Sequence, residues 1–400
     1  MLSWEQTPSL EPMRCCRAWV EINLAALRHN VQQFRELLPT SSQLMAVVKA
    51  DAYGHGAVTV AQTALQAGAA WLGVATVPEG IELRAAGIQA PILVMGAINS
   101  PEEMQAIAHW RLQPTLVNPK QALVFSETLS KLAAARPLGV HLKIDTGMTR
   151  LGFPWAEVVD FAQFVRQLPH LKIDSLYSHL ATADSPDPTI MRQQQQRFTT
   201  AVGHLRQHHL LPPRLHLANT AATLADPALH YDLVRVGLGL YGLYPAPHLQ
   251  TRLNLQPVMQ LKARITHLKP VPAGTGVSYG HQYITNRPIQ LAVLGIGYAD
   301  GVPRVLSNRL QVMVRGRLVK QIGTITMDQM MLDVSDIPNL QEGEVVTLLG
   351  SDGQHTISPD DWATMANTIS WEILCGFKHR LPRIAVEPSL APLSSTLASS

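Results

Sequence analysis

The feature of the sequence that most constrains the fold is an alternation of short apolar runs with segments of helical periodicity. The apolar runs occupy residues 44–49, 71–76, 91–95, 114–117, 139–145, 173–178, 214–218 and 233–237. Runs without polar alternation are typical of parallel strands that are buried on both faces. Because a helical segment precedes every run after the first, the pattern predicts an α/β fold, a (β/α)8 barrel of the TIM type. An open, doubly wound sheet is the alternative.

The pattern changes after Pro245, where the strand-like runs lie closer together and tight-turn signals separate them. This spacing predicts a mainly-β C-terminal domain over residues 250–387, after a barrel domain over residues 17–249. A strand is expected at residues 17–22. It is counted with the barrel domain, and membership of the β-domain is the alternative. Residues 1–16 are predicted to be a loose extension, and residues 388–400 a disordered tail.

The composition excludes several classes of protein. The 400-residue chain is 46% hydrophobic and 15% charged, with a net charge of +3, which suits a large core and gives no basic stripe for nucleic acid. Cys15, Cys16 and Cys375 have no metal-ligand spacing and predict a reducing compartment. The start of the chain lacks the apolar segment of a signal peptide, and no apolar run could span a membrane. We therefore expect a cytoplasmic protein without metal, membrane or nucleic acid partners.

Lys49 ends the first apolar run and is followed by a turn rich in glycine and alanine that contains Tyr53. An ammonium group at the end of a buried strand is costly unless it is paired or used chemically. A lysine amine with a lowered pKa can attack a carbonyl cofactor such as pyridoxal 5'-phosphate, PLP. From this pattern alone, a surface lysine beside a strand end is the more common interpretation.

The segment VVKADAYGHG, however, resembles the signature of the alanine racemases, which are PLP-dependent enzymes of fold type III. The resemblance implies that Lys49 binds PLP covalently and that Tyr53 contacts its phosphate. Further segments match the family in order from Arg17 to Arg383, across both predicted domains.

The fifth apolar run continues into HLKIDTGMTRLG, in which His141, Lys143 and Asp145 share one face of the strand. A self-contained ionic cluster is one interpretation of this face. The segment also resembles a racemase motif, which implies that Arg150 contacts PLP and the substrate. The same motif implies that Lys143 stands where the family often has a carbamylated lysine. A carbamate there would orient Arg150 through charge-assisted hydrogen bonds.

The last two runs end in residues suited to phosphate binding, namely Asn219, Thr220, Gly237 and Leu238. Backbone N–H groups at the start of a helix bind phosphate, and barrels often bind it after strands seven and eight. The resemblance assigns the same four residues to the PLP phosphate.

Arg235 lies inside the last apolar run and requires a partner, for which His216 on the preceding run is the candidate. A structural Arg–His pair is one interpretation. The resemblance implies instead that Arg235 donates to the pyridine nitrogen of PLP and that His179 packs on the ring. An arginine keeps that nitrogen unprotonated, which disfavours transamination.

Racemisation requires an acid–base group on each face of the α-carbon, and Lys49 can serve only one of them. GVSYGH resembles the motif of the second catalytic residue and implies that role for Tyr279, although an ordinary loop tyrosine is the alternative. GIGYADG and TMDQMM match the substrate-entry and carboxylate-binding segments, which implies substrate contacts for Tyr298 and Met327. Thr324 departs from the family, which often has arginine at this position.

The resemblance implies an alanine racemase that interconverts L- and D-alanine by a two-base mechanism and supplies D-alanine for peptidoglycan. It also implies a homodimer in which Lys49 acts with Tyr279 of the partner subunit. One alternative is another fold-type III enzyme, such as a decarboxylase of basic amino acids or a broader racemase. A second alternative is a non-catalytic PLP-binding protein, but such proteins lack the β-domain and its tyrosine.

Overall fold

The structure, a computed structural model, describes residues 16–132 and 137–387. The predicted extension, apart from Cys16, and the predicted tail lie outside these residues. The chain divides into two units between Gln256 and Pro257, whereas the sequence placed the boundary near Leu249. One unit is Ala26–Gln256, and the other joins the residues up to Ala25 with those from Pro257 onward.

In its described part, the unit Ala26–Gln256 contains a ring of eight parallel strands. They are Gln43–Val47, Trp71–Val74, Ile92–Ala97, Gln113–Leu116, Leu138–Asp145, Leu171–Tyr177, Leu215–His216 and Leu233–Val236. The last strand pairs with the first. The remaining gap is bridged by hydrogen bonds from Asp232 N–H to the Leu215 carbonyl, 3.1 Å, and from Arg235 N–H to the Ala218 carbonyl, 3.0 Å. The predicted barrel is therefore confirmed.

Helices connect the strands, and several begin with a polar cap followed by proline. Their bounds are Leu24–Leu37, Ala57–Gln66, Val77–Ala85, Pro101–His109, Pro119–Lys131, Val158–Gln167, Thr189–Gln207 and Thr220–Ala225. Ser100 accepts from the N–H of Glu103, and Asn118 accepts from the N–H of Gln121. These caps satisfy donors that the first helical turn leaves unpaired. Short 3-10 turns lie at Trp155–Glu157, Pro227–Leu229, Leu238–Tyr241 and Pro247–Leu249.

The barrel contains both apolar and polar side chains. Met45, Trp71, Leu93 and Leu233 form one buried apolar cluster. Buried polar groups on the barrel strands are Thr115, His141, Lys143, Ser175, His216 and Arg235. Because buried polar groups need hydrogen-bond partners, this part of the core depends on specific pairing rather than on volume alone.

The second unit is built on one large sheet of nine strands. Their order across the sheet is His355–Ile357, Val345–Asp352, Gln311–Val314, Arg317–Ile322, Met330–Asp333, Ile289–Leu294, Met259–Val271, Ala18–Asn23 and Arg383–Val386. A separate small pair joins Gly276–Val277 to Tyr283–Ile284. The two helices described here are Pro359–Ala366 and Ser370–Gly376, with 3-10 turns at Tyr279–His281 and Arg304–Leu306. The predicted mainly-β domain is confirmed.

The long strand Met259–Val271 organises this unit, because it pairs with Ala18–Asn23, Ile289–Leu294 and Val345–Asp352. The sheet consequently closes on itself, and the N-terminal strand belongs to it.

Two local conformations in this unit follow from residue type. Arg315 and Gly316 have φ of 50° and 72°, which gives a two-residue hairpin between Gln311–Val314 and Arg317–Ile322. The helix that begins at Pro359 ends at Ala366. Asn367 has a φ of 55° and caps the helix in the left-handed conformation, so a second helix begins at Ser370.

Candidate active site

The turn after the first barrel strand places Lys49, half-buried, at the C-terminal end of the barrel. The four residues from Ala50 to Tyr53 have φ between 52° and 54° and ψ between 40° and 52°. This left-handed conformation costs an L-amino acid about 1–2 kcal/mol per residue. Such strain persists only where the surroundings enforce it, and it is concentrated at functional sites.

Two carboxylates hold this turn. Glu79 accepts from the N–H of Ala50, 2.7 Å, through one oxygen and from the N–H of Ala75, 2.7 Å, through the other. Asp51 accepts from the N–H of Ala57, 2.7 Å. Glu79 therefore ties the end of the first strand to the end of the second. Sequence reasoning missed Glu79, although its position three residues after a threonine is a capping-box signal.

The residues predicted to bind phosphate lie together after strands seven and eight. The N–H of Gly237 donates to the Thr220 hydroxyl, 3.0 Å. A methyl group on Gly237 would lie 2.5 Å from the Tyr53 hydroxyl oxygen, so the tyrosine is packed directly against this glycine. Asn219 caps the short helix that begins at Thr220, and Leu238 begins the next 3-10 turn. The structure thus brings Tyr53 to the predicted phosphate residues.

Arg235 is buried beneath this rim and has partners on two neighbouring strands. One guanidinium nitrogen donates to His216 Nδ1, 3.0 Å. The other donates to the carbonyls of Ser178, 2.8 Å, and Leu217, 3.0 Å, and lies 3.2 Å from His179 Nδ1. Burial lowers the pKa of Arg235 to about 10. The predicted Arg–His contact is present, and His179 lies at the same guanidinium.

Positive charge accumulates at this end of the barrel. Burial, followed by the charges of Arg235, Arg150 and Lys49, lowers the pKa of Lys143 to about 8, whereas Asp145 acts to raise it. Burial, followed by the same cations, holds the pKa of His179 well below its ordinary value. Like charges gathered in this way favour an anionic ligand.

The Asp145 carboxylate is already engaged in a turn and does not balance this charge fully. One of its oxygens accepts from the N–H groups of Gly147, Met148 and Thr149 at 2.8–3.1 Å. These three backbone donors fix the turn that leads to Arg150, which is exposed. Of the predicted pair, Lys143 therefore lies buried in the strand Leu138–Asp145, and Arg150 lies on the exposed loop that follows it.

Tyr279 stands on a strained loop of the β-unit and is 70% exposed. Ser278 before it has a φ of 64°, and Gly280 after it has a φ of 72°. The Ser278 hydroxyl donates to the Thr324 carbonyl, 2.7 Å, and the Thr324 hydroxyl donates to the Tyr279 carbonyl, 2.9 Å. The threonine that departs from the family pattern thus holds the tyrosine backbone. Tyr279 also lines an open cavity of about 590 Å³ with Lys269 and other residues of this unit.

Tyr298 and Met327 lie on two adjoining loops of the same unit. The N–H of Tyr298 donates to the Thr326 carbonyl, 3.0 Å. Met327 and Tyr298 are 53% and 41% exposed. Asp328 is paired with Arg380 at 2.6 Å, so its charge beside Met327 is offset. An unpaired Asp328 would repel a carboxylate ligand at the Met327 loop, and its pairing with Arg380 reduces that repulsion.

The structure therefore assembles the predicted residues in two sets. Lys49, Tyr53, Lys143, Arg150, His179, Asn219, Thr220, Arg235, Gly237 and Leu238 lie in the barrel unit. Tyr279, Tyr298 and Met327 lie in the β-unit. A barrel whose C-terminal end carries a strained lysine turn and converging cations, with a β-domain carrying an exposed tyrosine, defines a two-domain barrel enzyme.

Comparisons with known proteins identify the family. Models of the alanine racemase N-terminal and C-terminal domains match residues 22–245 and 258–385. The chain is 65% identical over 370 residues to an alanine racemase of Nostoc sp., covering 92% of this chain and 96% of the relative. It is 63% identical over 370 residues to the enzyme of Synechocystis sp., covering 92% and 99%. The chain belongs to the alanine racemase family.

Solved structures agree with this assignment. Alanine racemase from a D-cycloserine-producing Streptomyces lavendulae superposes with a TM-score of 0.86 at 38% identity, covering 95% of this chain and 98% of that one. The enzyme of Bacillus anthracis with bound L-Ala-P gives 0.87 at 34% identity, covering 93% and 95%. In residues 16–132 and 137–387, no helix has the length and apolar character needed to cross a bilayer.

Proposed function

We propose that the protein interconverts L-alanine and D-alanine with PLP as cofactor. One observation carries the proposal. A single chain of this family contains both the cationic barrel rim around Lys49 and a β-domain in which Tyr279 is exposed. PLP supplies an electron-withdrawing ring that acidifies the proton on the α-carbon of a bound amino acid. The remaining chemistry belongs to the side chains of this protein.

The barrel residues fit PLP by charge and by shape. Lys49, Lys143, Arg150 and Arg235 act on one another electrostatically, so an anionic phosphate and a phenolic oxygen would relieve their repulsion. At Gly237, where even a methyl group would collide with the Tyr53 hydroxyl, the bare backbone allows the close approach that a phosphate requires.

In this proposal each cofactor-binding residue has a separate task. Tyr53, Asn219, Thr220, Gly237 and Leu238 bind the phosphate. Arg235 donates to the pyridine nitrogen, because its guanidinium remains a donor even when buried. His179, kept neutral by burial and by Arg235, packs on the ring.

Lys143 and Arg150 act together on the phenolic oxygen and the substrate carboxylate. A pKa of about 8 makes the Lys143 amine partly unprotonated in mildly alkaline solution, which is the form that reacts with carbon dioxide. We propose that Lys143 is carbamylated and that its negative charge then orients Arg150.

Lys49 and Tyr279 are proposed as the two acid–base groups. The Tyr279 hydroxyl removes the α-proton of L-alanine and the Lys49 amine returns a proton on the opposite face, while D-alanine uses the reverse order. Met327 and Tyr298 are proposed to contact the small substrate, Met327 through its backbone N–H.

We further propose a homodimer in which Lys49 acts with Tyr279 of the partner subunit. The exposure of Tyr279, Met327 and Ile284, which is 60% exposed, leaves an apolar surface that association would cover. A twofold dimer would contain two equivalent sites. The enzyme would act in the cytoplasm, and its D-alanine would enter peptidoglycan.

To test this proposal, purified protein is incubated with PLP and L-alanine in deuterated water. NMR measures loss of the α-proton, and a separate assay measures the formation of D-alanine. Exchange together with D-alanine formation is the expected result. Wash-out of the proton without inversion would contradict the two-base assignment. Absence of exchange would contradict the alanine substrate and favour the decarboxylase or PLP-carrier alternatives.

A matched pair of variants tests the tyrosine. Tyr279→Phe should bind PLP normally and lose racemisation. Tyr283→Phe, four residues away in the same unit and half-buried, should retain it. Racemisation by Tyr279→Phe at the wild-type rate would remove Tyr279 from the mechanism.

A further inference from the structure

A continuous line of hydrogen bonds runs through the barrel interior from Arg235 to Gln113. Arg235 lies 3.0 Å from His216 Nδ1, and His216 Nε2 lies 2.9 Å from the Ser175 hydroxyl oxygen. That oxygen lies 2.6 Å from His141 Nδ1, and His141 Nε2 lies 2.5 Å from Gln113 Oε1. The line crosses five strands of the barrel, and three of its members, His141, Ser175 and His216, have no exposed surface.

Donor chemistry determines the direction of every bond in this line. A guanidinium can only donate, so His216 Nδ1 must accept and the imidazole proton must lie on Nε2. His216 therefore donates to Ser175, whose own proton is then free to go to His141 Nδ1. His141 in turn carries its proton on Nε2 and donates to the Gln113 carbonyl oxygen. All the donors point away from Arg235.

Both histidines remain neutral in this arrangement. Burial lowers the pKa of His141 to about 3, with Arg214 acting in the same direction. Burial and then Arg235 hold the pKa of His216 well below its ordinary value. The Tyr177 ring stacks on His216 with centroids 4.6 Å apart, which restricts rotation of the imidazole.

The opposite tautomer of His216 would disturb Arg235. A proton on Nδ1 would face the guanidinium N–H across 3.0 Å, so two donors would meet. Arg235 would have to turn, and turning would break its bonds to the Ser178 and Leu217 carbonyls. Within the described residues, the proton of Ser175 is therefore linked to the orientation of a guanidinium two bonds away.

We propose that Ser175 and His141 are positioning residues that act with the Arg235 donor to hold His216 in the Nε2–H tautomer, and that this tautomer keeps Arg235 oriented towards the cofactor ring. The proposal rests on the proposed function for the role of Arg235. The tautomer itself is independent of activity. A purely structural hydroxyl at Ser175 would stabilise the barrel without determining which nitrogen of His216 carries the proton.

The first test is NMR of protein labelled with 15N-histidine, with and without PLP. Wild-type protein should show Nδ1 of His216 and of His141 as unprotonated nitrogens and both Nε2 as protonated, throughout the neutral pH range. A proton on Nδ1 of either histidine, or a charged imidazole, would overturn the proposal. The NMR signals do not depend on racemisation. A failure of this proposal can therefore be distinguished from a failure of the proposed function.

The second test breaks the line at Ser175. Ser175→Ala should lower kcat about tenfold through misorientation of Arg235, while KM for alanine changes little. It should also release the His141 tautomer in the NMR spectrum. Ser126→Ala is the matched control, because Ser126 is also buried but donates to the Pro169 carbonyl, 2.7 Å, outside the line. It should lower stability without altering histidine signals or kcat.

Two variants of His141, the next residue in the line, keep the proposal testable if Ser175→Ala does not fold. His141→Asn offers an amide oxygen that can accept the Ser175 proton, so the wild-type His216 signals should persist. His141→Leu offers no acceptor and should give mixed His216 tautomers with a lowered kcat. Equal kinetics and equal spectra for Ser175→Ala and wild type, or for the two His141 variants, would refute the positioning role.

Discussion

Glycine at position 50 should stabilise the protein, although alanine-to-glycine changes usually do the opposite. Ala50 has a φ of 53° and a ψ of 52°, in the left-handed region that glycine enters freely. Its side chain is exposed, so losing the methyl group removes little packing. Ala52, with similar angles, is fully buried and would confound the result.

The expected magnitude comes from two opposing terms. Relief of the left-handed conformation contributes about 1–2 kcal/mol in favour of glycine. The greater freedom of glycine in the unfolded chain costs about 0.5–1 kcal/mol. We expect Ala50→Gly to raise the free energy of unfolding by roughly 0.5–1 kcal/mol, and the melting temperature of a unit of this size by about 2 °C.

The assay is thermal unfolding, with Ala106→Gly as the control. Ala106 lies inside the right-handed helix Pro101–His109, where glycine should lower the free energy of unfolding by about 1 kcal/mol. The two substitutions are chemically identical, so opposite signs isolate the backbone conformation. Equal destabilisation by both would refute the left-handed turn after Lys49 and the strain argument that depends on it.

The remaining predictions concern the pKa of Lys143, the tyrosine loop and the phosphate residues. With carbon dioxide excluded so that Lys143 is a free amine, its folded-state pKa is lowered to about 8, and the unfolded chain binds the extra proton between that pH and 10.5, the ordinary pKa of this side chain. Stability should therefore rise with pH across this window, and urea titrations of Lys143→Met should lose the rise. Thr324→Val should lower kcat and Thr324→Ser should restore it, in steady-state assays, because only serine keeps a hydroxyl for the Tyr279 carbonyl. Gly237→Ala should weaken PLP binding in absorbance titrations, whereas Gly203→Ala, whose added carbon meets no atom within 4 Å, should not.

The barrel could be predicted because its signal is local. Uninterrupted apolar runs indicate buried parallel strands wherever they pair, and Ser100 and Asn118 mark helix starts within a few residues. The hairpin at Arg315 and Gly316 is also encoded by adjacent residues.

The left-handed turn could not be predicted, because Ala50, Asp51, Ala52 and Tyr53 include no glycine. Their conformation depends on contacts with residues distant in the sequence. One of these residues, Glu79, belongs to the next βα unit and accepts from the N–H of Ala50. A capping-box pattern predicts that a helix begins at this point. It does not predict that the same Glu79 carboxylate also accepts from the N–H of Ala50.

The roles of buried polar residues depend on strand register, which a single sequence does not reveal. Ser175 gives no signal of its own, since an isolated serine in an apolar run resembles any other. It becomes informative only when Leu138–Asp145 and Leu171–Tyr177 pair and set it opposite His141. The catalytic assignments therefore came from resemblance, whereas the network beneath Arg235 came from the structure.

The strand Ala18–Asn23 has a consequence for synthesis on the ribosome. Its register partners begin with Ala263 opposite Ala18, and its other neighbour begins at Arg383. Since chains emerge from the N-terminus, every strand of the barrel is made before this first strand can find a hydrogen-bonding neighbour. Nascent chains that stall before residue 259 would expose an unpaired apolar edge, a natural recognition element for chaperones and proteases.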